Sequence, residues 1–133
     1  MKAAKELYPC EEDGYWRAPG DYQPILDTFG NILVQVDDID WQGDSRVLYK
    51  DKGIYGYLQF GWGSCSGCDS LLACDSVEEV QQLMDDLYQS ITWFNSASDA
   101  IHYFKTHDWE GDYCSNSKQK EFVSKVIEKL KEE

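Results

Sequence analysis

The chain has 133 residues, with 25 Asp and Glu against 12 Lys and Arg, a formal net charge of -13, and 42% hydrophobic and 14% aromatic residues. That length suits one domain with a real core, and the apolar content excludes an intrinsically disordered chain. A field of one negative sign repels nucleic-acid and membrane phosphates and draws in basic protein surfaces, so direct nucleic-acid or membrane binding is not expected.

The acidic excess is unevenly placed. No Lys or Arg occurs from Gly53 to Phe104, while Asp69, Asp75, Glu78, Glu79, Asp85, Asp86 and Asp99 all fall in that window. The plain reading of such a run is a solvated face that keeps the chain soluble. The functional reading is a docking surface for a basic protein, in particular one that itself handles nucleic acid. Met1 to Pro9 has no apolar signal core, and no stretch reaches the roughly 20 apolar residues of a membrane span, so a cytoplasmic location is expected. In a reducing compartment, a Cys-x-x-Cys pair within an odd total of five cysteines points to metal or redox chemistry more than to a structural disulfide.

Taken in order, residues 1–22 read as an irregular N-terminal arm, broken by Pro9, Gly14, Pro19 and Gly20, ahead of a body over 23–133; together they make a single domain. Pro24 to Phe29 can form a helical turn with proline in its first turn and Gly30 as a stop. Three strands are expected over Ile32–Val36, Arg46–Tyr49 and Ile54–Phe60, rich in β-branched and aromatic residues, the last two joined by a hairpin at Lys50-Asp51-Lys52-Gly53. Between the first two lie Asp37, Asp38, Asp40 and Asp44. They lack calcium-loop spacing and its terminal bidentate Glu, and read as an acidic turn.

Ser76-Val77-Glu78-Glu79 has the pattern of a capping box. A helix is expected from there, with Val77, Val80, Leu83, Met84, Leu87, Ile91 and Phe94 on its buried stripe and Glu78, Gln82, Asp85 and Gln89 outward. Further helices are expected over Ser98–Thr106 and Ser117–Lys131. Strands followed by helices predict an α+β fold: a small antiparallel sheet of about three strands against three helices.

The sharpest chemical signal is Cys65-Ser-Gly-Cys68, with Cys74 following. Two thiols separated by two residues, with glycine before the second, can turn both sulfurs toward one point. The reading is a structural zinc held by Cys65, Cys68 and Cys74, forming a knuckle between the sheet and the first long helix. The fourth ligand would come from Cys10, Cys114, His102, His107 or a nearby Asp such as Asp44, Asp69 or Asp75. Reduced structural thiols and a redox pair are the competing readings; the upstream strands look antiparallel, whereas a thioredoxin-like site sits in a βαβ pattern. No His-Glu-x-x-His motif, phosphate-cradling glycine loop or nucleophile-base-acid set occurs, so an enzyme is not expected. Trp41 and Trp62 flank the acidic turn and the cysteine loop, where an exposed aromatic would suit an arginine-bearing partner, although core packing is the commoner fate of either one.

Trp41-Gln-Gly-Asp-Ser-Arg46, Gly56-Tyr-Leu-Gln-Phe-Gly-Trp-Gly-Ser-Cys65-Ser-Gly-Cys68-Asp69 and Ala73-Cys74 together resemble a group of small acidic phage and prophage proteins. The resemblance runs from about Gln23 to Trp109. It implies a phage-encoded accessory protein in the host bacterial cytosol and carries over no catalytic residue. By analogy with metal-containing anti-CRISPR proteins that bind Cas9, the expected function is inhibition of a basic, nucleic-acid-handling host defence protein, most plausibly Cas9, by blocking DNA loading or a conformational step. Glu78, Glu79, Asp85 and Asp86 would present the charge, and the protein would act as a monomer. The alternatives are a small thiol- or zinc-dependent enzyme, redox or hydrolytic, and a phage structural or assembly module.

Overall fold

The computed structural model describes residues 2–8, 22–38, 42–63, 71, 74, 76–107 and 117–133. In chain order these form α1 (Ala4–Leu7), α2 (Gln23–Thr28), β1 (Asn31–Asp38), β2 (Gln42–Asp51), β3 (Ile54–Gly63), α3 (Val77–Gln89), β4 (Thr92–Phe94), α4 (Ala97–Thr106) and α5 (Ser117–Lys131). The strands make one antiparallel sheet in the order β1-β2-β3-β4. The fold is α+β, with one strand and the short α1 more than the sequence patterns suggest, and with α2 at the helical turn expected over Pro24–Phe29.

The β2–β3 hairpin forms where expected. Asp51 pairs with Ile54, leaving a two-residue turn in which Lys52 (φ 50) and Gly53 (φ 85) both take positive φ. A turn of this mirror-image kind matches the right-handed twist of the strands it joins, and glycine reaches its second position without strain. All three strands of the meander run longer than their apolar cores, because the ladder continues through polar flanks such as Asp37↔Ser45 and Asp44↔Gly61.

Helices cover both faces of the sheet. On one, α2 and α3 bury Ile25, Leu26, Phe29, Val80 and Met84 against Val47, Tyr49 and Leu58. On the other, α4 and α5 bury Ala100, Phe104, Phe122, Val126 and Leu130 against Val36, Leu48 and Tyr55. Each large apolar side chain so enclosed contributes roughly 1.5–3 kcal/mol. A bulge between Ile32 and Val34 shifts the β1–β2 register: Ile32 packs with the first cluster, and Leu33 and Val34 with the second. Arg46 is buried at 2% exposure on β2, opposite Val36 and Gln59.

Two expectations are corrected. Part of the N-terminal arm is α1, with Ala4 in the first core and its N–H donating to Gln81 Oε1 (2.8 Å) on α3; residues 9–21 of the arm lie outside the described residues. Ile91 and Phe94 do not extend the stripe of the first long helix. That helix stops at Gln89, where the Ser90 N–H bonds the carbonyls of Asp86 (3.2 Å) and Leu87 (3.1 Å) and Ser90 Oγ donates to Leu87 O (2.7 Å). The β-branched and aromatic run that follows pairs as β4 with Tyr55–Tyr57, since extended backbone there satisfies the open edge of β3 while still burying Ile91.

Gly56 makes that pairing possible. It faces Trp93 in the register, and a Cβ built on it would lie 2.7 Å from the indole and 2.8 Å from Ile91. Gly56→Ala should therefore cost about 1–3 kcal/mol through overpacking, measured by urea denaturation; unchanged stability would mean that β4 does not pack against β3 in this way. Tyr49, fully buried, donates from its hydroxyl to Leu26 O (2.8 Å) and so ties α2 to the sheet. Burial first, and the charge of Asp27 second, push its phenol well above the ordinary range. Folding thus favours the neutral phenol, so this contribution is whole below pH about 10 and is lost as pH rises beyond it. Tyr49→Phe should lose about 1 kcal/mol at neutral pH, where Leu26 O keeps only the Phe29 N–H (3.3 Å) of its two donors, and should show a shallower fall in stability between about pH 9 and 11 than the wild type.

Candidate partner-binding surface and cysteine loop

α3 is a helix because Ser76, in extended conformation, accepts the Glu79 N–H on Oγ (3.3 Å), and because Val80 and Met84 give it a face to bury. Glu78 and Glu79 sit in its first turn, where the positive end of the helix dipole favours them. The same spacing that points Val80 and Met84 at the sheet turns the acidic residues away from it. Glu78 and Asp85 are seven residues apart, as are Glu79 and Asp86, so the four carboxylates form two adjacent rows spanning about 10 Å of the helix axis. Glu78, Glu79 and Asp86 are exposed and Asp85 is half-buried. All four residues expected to meet a partner therefore share one outward side of α3.

The amide groups beside them are a feature that charge counting overlooks. Gln81 Nε2 donates to Asp85 Oδ1 (3.0 Å), and Gln82 Nε2 to Asp86 Oδ1 (2.9 Å). These i, i+4 bonds orient the two carboxylates without neutralising them. The Gln81-Gln82…Asp85-Asp86 spacing was visible in the sequence and is the signal that could have found them. Since Gln81 also accepts the Ala4 N–H, one end of this surface is anchored to α1.

Of the cysteine loop, residues 64–70, 72, 73 and 75 lie outside the described residues, Cys65 and Cys68 among them, as do Cys10 and Cys114. Leu71 and Cys74 are described, and both are buried in the first core. The Leu71 N–H donates to Tyr22 Oη (3.1 Å), Tyr22 packs on Phe60 at 5.0 Å between ring centroids, and the Cys74 N–H donates to Leu71 O (3.2 Å). The end of the loop is thus stitched to the α2 side of the sheet immediately before α3 begins. His102 lies exposed on α4, and His107, its C-cap, stacks on Tyr103 at 5.1 Å; α4 packs on the opposite face. Among the described residues no group of three or more His, Cys, Asp or Glu is arranged to hold a metal ion. The side chains of Trp41 and Trp62 also lie outside the described residues.

No helix among the described residues is long and apolar enough to cross a membrane. Compared with protein-family models, curated proteins and solved structures, the chain matches none.

Proposed function

We propose that the protein is a non-enzymatic, phage-encoded binding module whose acidic α3 face docks on a basic, nucleic-acid-handling host defence protein and inhibits it. The observation that carries this reading is the pair of carboxylate rows, Glu78 with Asp85 and Glu79 with Asp86, outward on one helix in a window without Lys or Arg. A Cas9-type effector is the partner suggested by analogy with metal-containing anti-CRISPR proteins, and its physics suits the surface: it holds guide and target in positively charged channels that an acidic face can occupy. Inhibition would follow from blocked DNA loading or from a hindered conformational step. Charge complementarity of this kind speeds encounter and fixes register, and it weakens as salt screens it.

The test is binding to a purified Cas9-type effector together with its DNA-cleavage assay. Combined Glu78→Gln, Glu79→Gln, Asp85→Asn and Asp86→Asn should weaken the complex by about tenfold or more, equivalent to about 1.4 kcal/mol, and should release cleavage; raising salt should weaken the wild-type complex in the same direction. A complex indifferent to both sinks the acidic-face mechanism.

The reading includes a structural zinc on Cys65, Cys68 and Cys74. Cys74, buried and backbone-bonded beside Leu71, gives such a site one sulfur fixed to the core, and a bound metal would hold the rest of the loop against the start of α3. Elemental analysis of the untagged protein should give about one zinc per chain. Cys65→Ser and Cys68→Ser should lose it and lower the melting temperature, because structural metal contributes to folding; wild-type metal content and stability in both variants would remove the zinc.

A further inference from the structure

We infer that β1 and α5 form a self-complementary surface through which two copies of this chain pair about a two-fold axis. Among the described residues β1 is an edge strand of the sheet, bonded to β2 on one side only. Its eight residues contain neither Pro nor Lys, two of the devices that protect exposed edges, and its one interruption is the bulge between Ile32 and Val34. Beside it runs an open groove of about 330 Å³, lined by Leu33, Val34 and Gln35 on β1, by Lys125, Glu128 and Lys129 on α5, and by Glu132 in the turn that follows α5.

The charges along the groove choose the occupant. Positions 125, 128, 129 and 132 lie on one helical stripe and read plus, minus, plus, minus. A uniformly acidic or basic segment laid along them meets a like charge at two of the four positions. A second α5 running antiparallel meets none. Reversal about the midpoint of 128 and 129 sets Lys125 opposite Glu132 of the copy and Glu128 opposite Lys129, and the same pairs recur on the other side of the axis, as an isologous interface requires. Val34 is the middle of the three β1 residues that line the groove, as 128 and 129 are the middle pair of its helical side. One axis can therefore serve both elements and bring the β1 edges to strand-pairing distance, about 4.8 Å. With register centred on Val34, Asp37 faces Asn31 of the copy and not a second carboxylate.

The charges are available for this. Lys125 and Lys129 are 54% and 40% exposed, and their contacts with Glu121 (3.4 Å) and Glu132 (3.6 Å) lie at the surface, pairs that cost little to exchange. α5 is also where the acidic chain repels itself least, carrying lysines 118, 120, 125, 129 and 131 against glutamates 121 and 128. A dimer departs from the monomer expected from the sequence. It needs neither α3, which covers the other face of the sheet, nor a host partner, so it stands or falls apart from the acidic-face reading.

Sedimentation velocity of the untagged full chain over a dilution series tests it. The wild type should move from a one-chain to a two-chain species as concentration rises. Lys125→Glu with Lys129→Glu, and separately Glu128→Lys with Glu132→Lys, should each remain one-chain, and mixing the two variants should restore the two-chain species. The milder pair Lys125→Gln and Lys129→Gln should weaken the dimer several-fold while keeping the wild-type melting curve. A wild type that stays monomeric at the highest concentration, variants that dimerise as well as wild type, or a mixture that stays monomeric would each overturn the proposed pairing.

Discussion

Continuous burial of the central strand governs this molecule. Every residue from Ser45 to Tyr49 on β2 is buried, although neighbours along a strand point to opposite faces. A strand buried on both sides demands a helical layer on each. The first is supplied by α2 and α3, which bracket the meander in the chain, and the second by α4 and α5, which follow it. The tight turn at Lys52-Gly53 keeps β2 and β3 in register, and a one-residue slip would exchange the two faces and send every apolar side chain to the wrong layer.

That three-layer arrangement also separates the chain's charges. α3 lies on one face with its carboxylates outward, and α5, the most lysine-rich element, lies on the other. The two surfaces carry different chemistry. One is uniformly negative and suited to a basic partner; the other alternates in sign and is suited to a copy of itself. In a dimer formed through the α5 side, two acidic faces would remain open, so a single assembly could engage a partner at two points, with the gain in avidity that follows when geometry permits both contacts.

The loop before α3 joins core and surface. Leu71 is held by Tyr22, itself packed on Phe60 of β3, and Cys74 by the carbonyl of Leu71. The start of the acidic helix is thus set by core packing and by the Ser76 cap before any metal is considered. Within the proposed function, a zinc would add stiffness to the loop leading into a helix whose direction the first core already determines.

Much of this was legible from residue patterns. The apolar runs of the meander, the glycine at its turn, the cap at Ser76 and the 3.6-residue stripes of α3, α4 and α5 are local signals, and they fall where the sequence places them because short-range backbone and side-chain preferences decide them. Placement of Glu78, Glu79, Asp85 and Asp86 on one outward side followed from the same periodicity. The tertiary structure alone decided the rest. Ile91 and Phe94 fit the helical stripe by spacing and became strand because the edge of β3 offered partners at Tyr55–Tyr57 and Gly56 left room for Trp93. Ala4 became core because α3 presented Gln81 to its backbone, and the two layers became two because Val47 and Leu48, adjacent in the chain, need separate apolar surroundings. Periodicity reports which side chains are to be buried; which partner buries them depends on contacts between residues far apart in sequence, and those exist only once the chain has closed on itself.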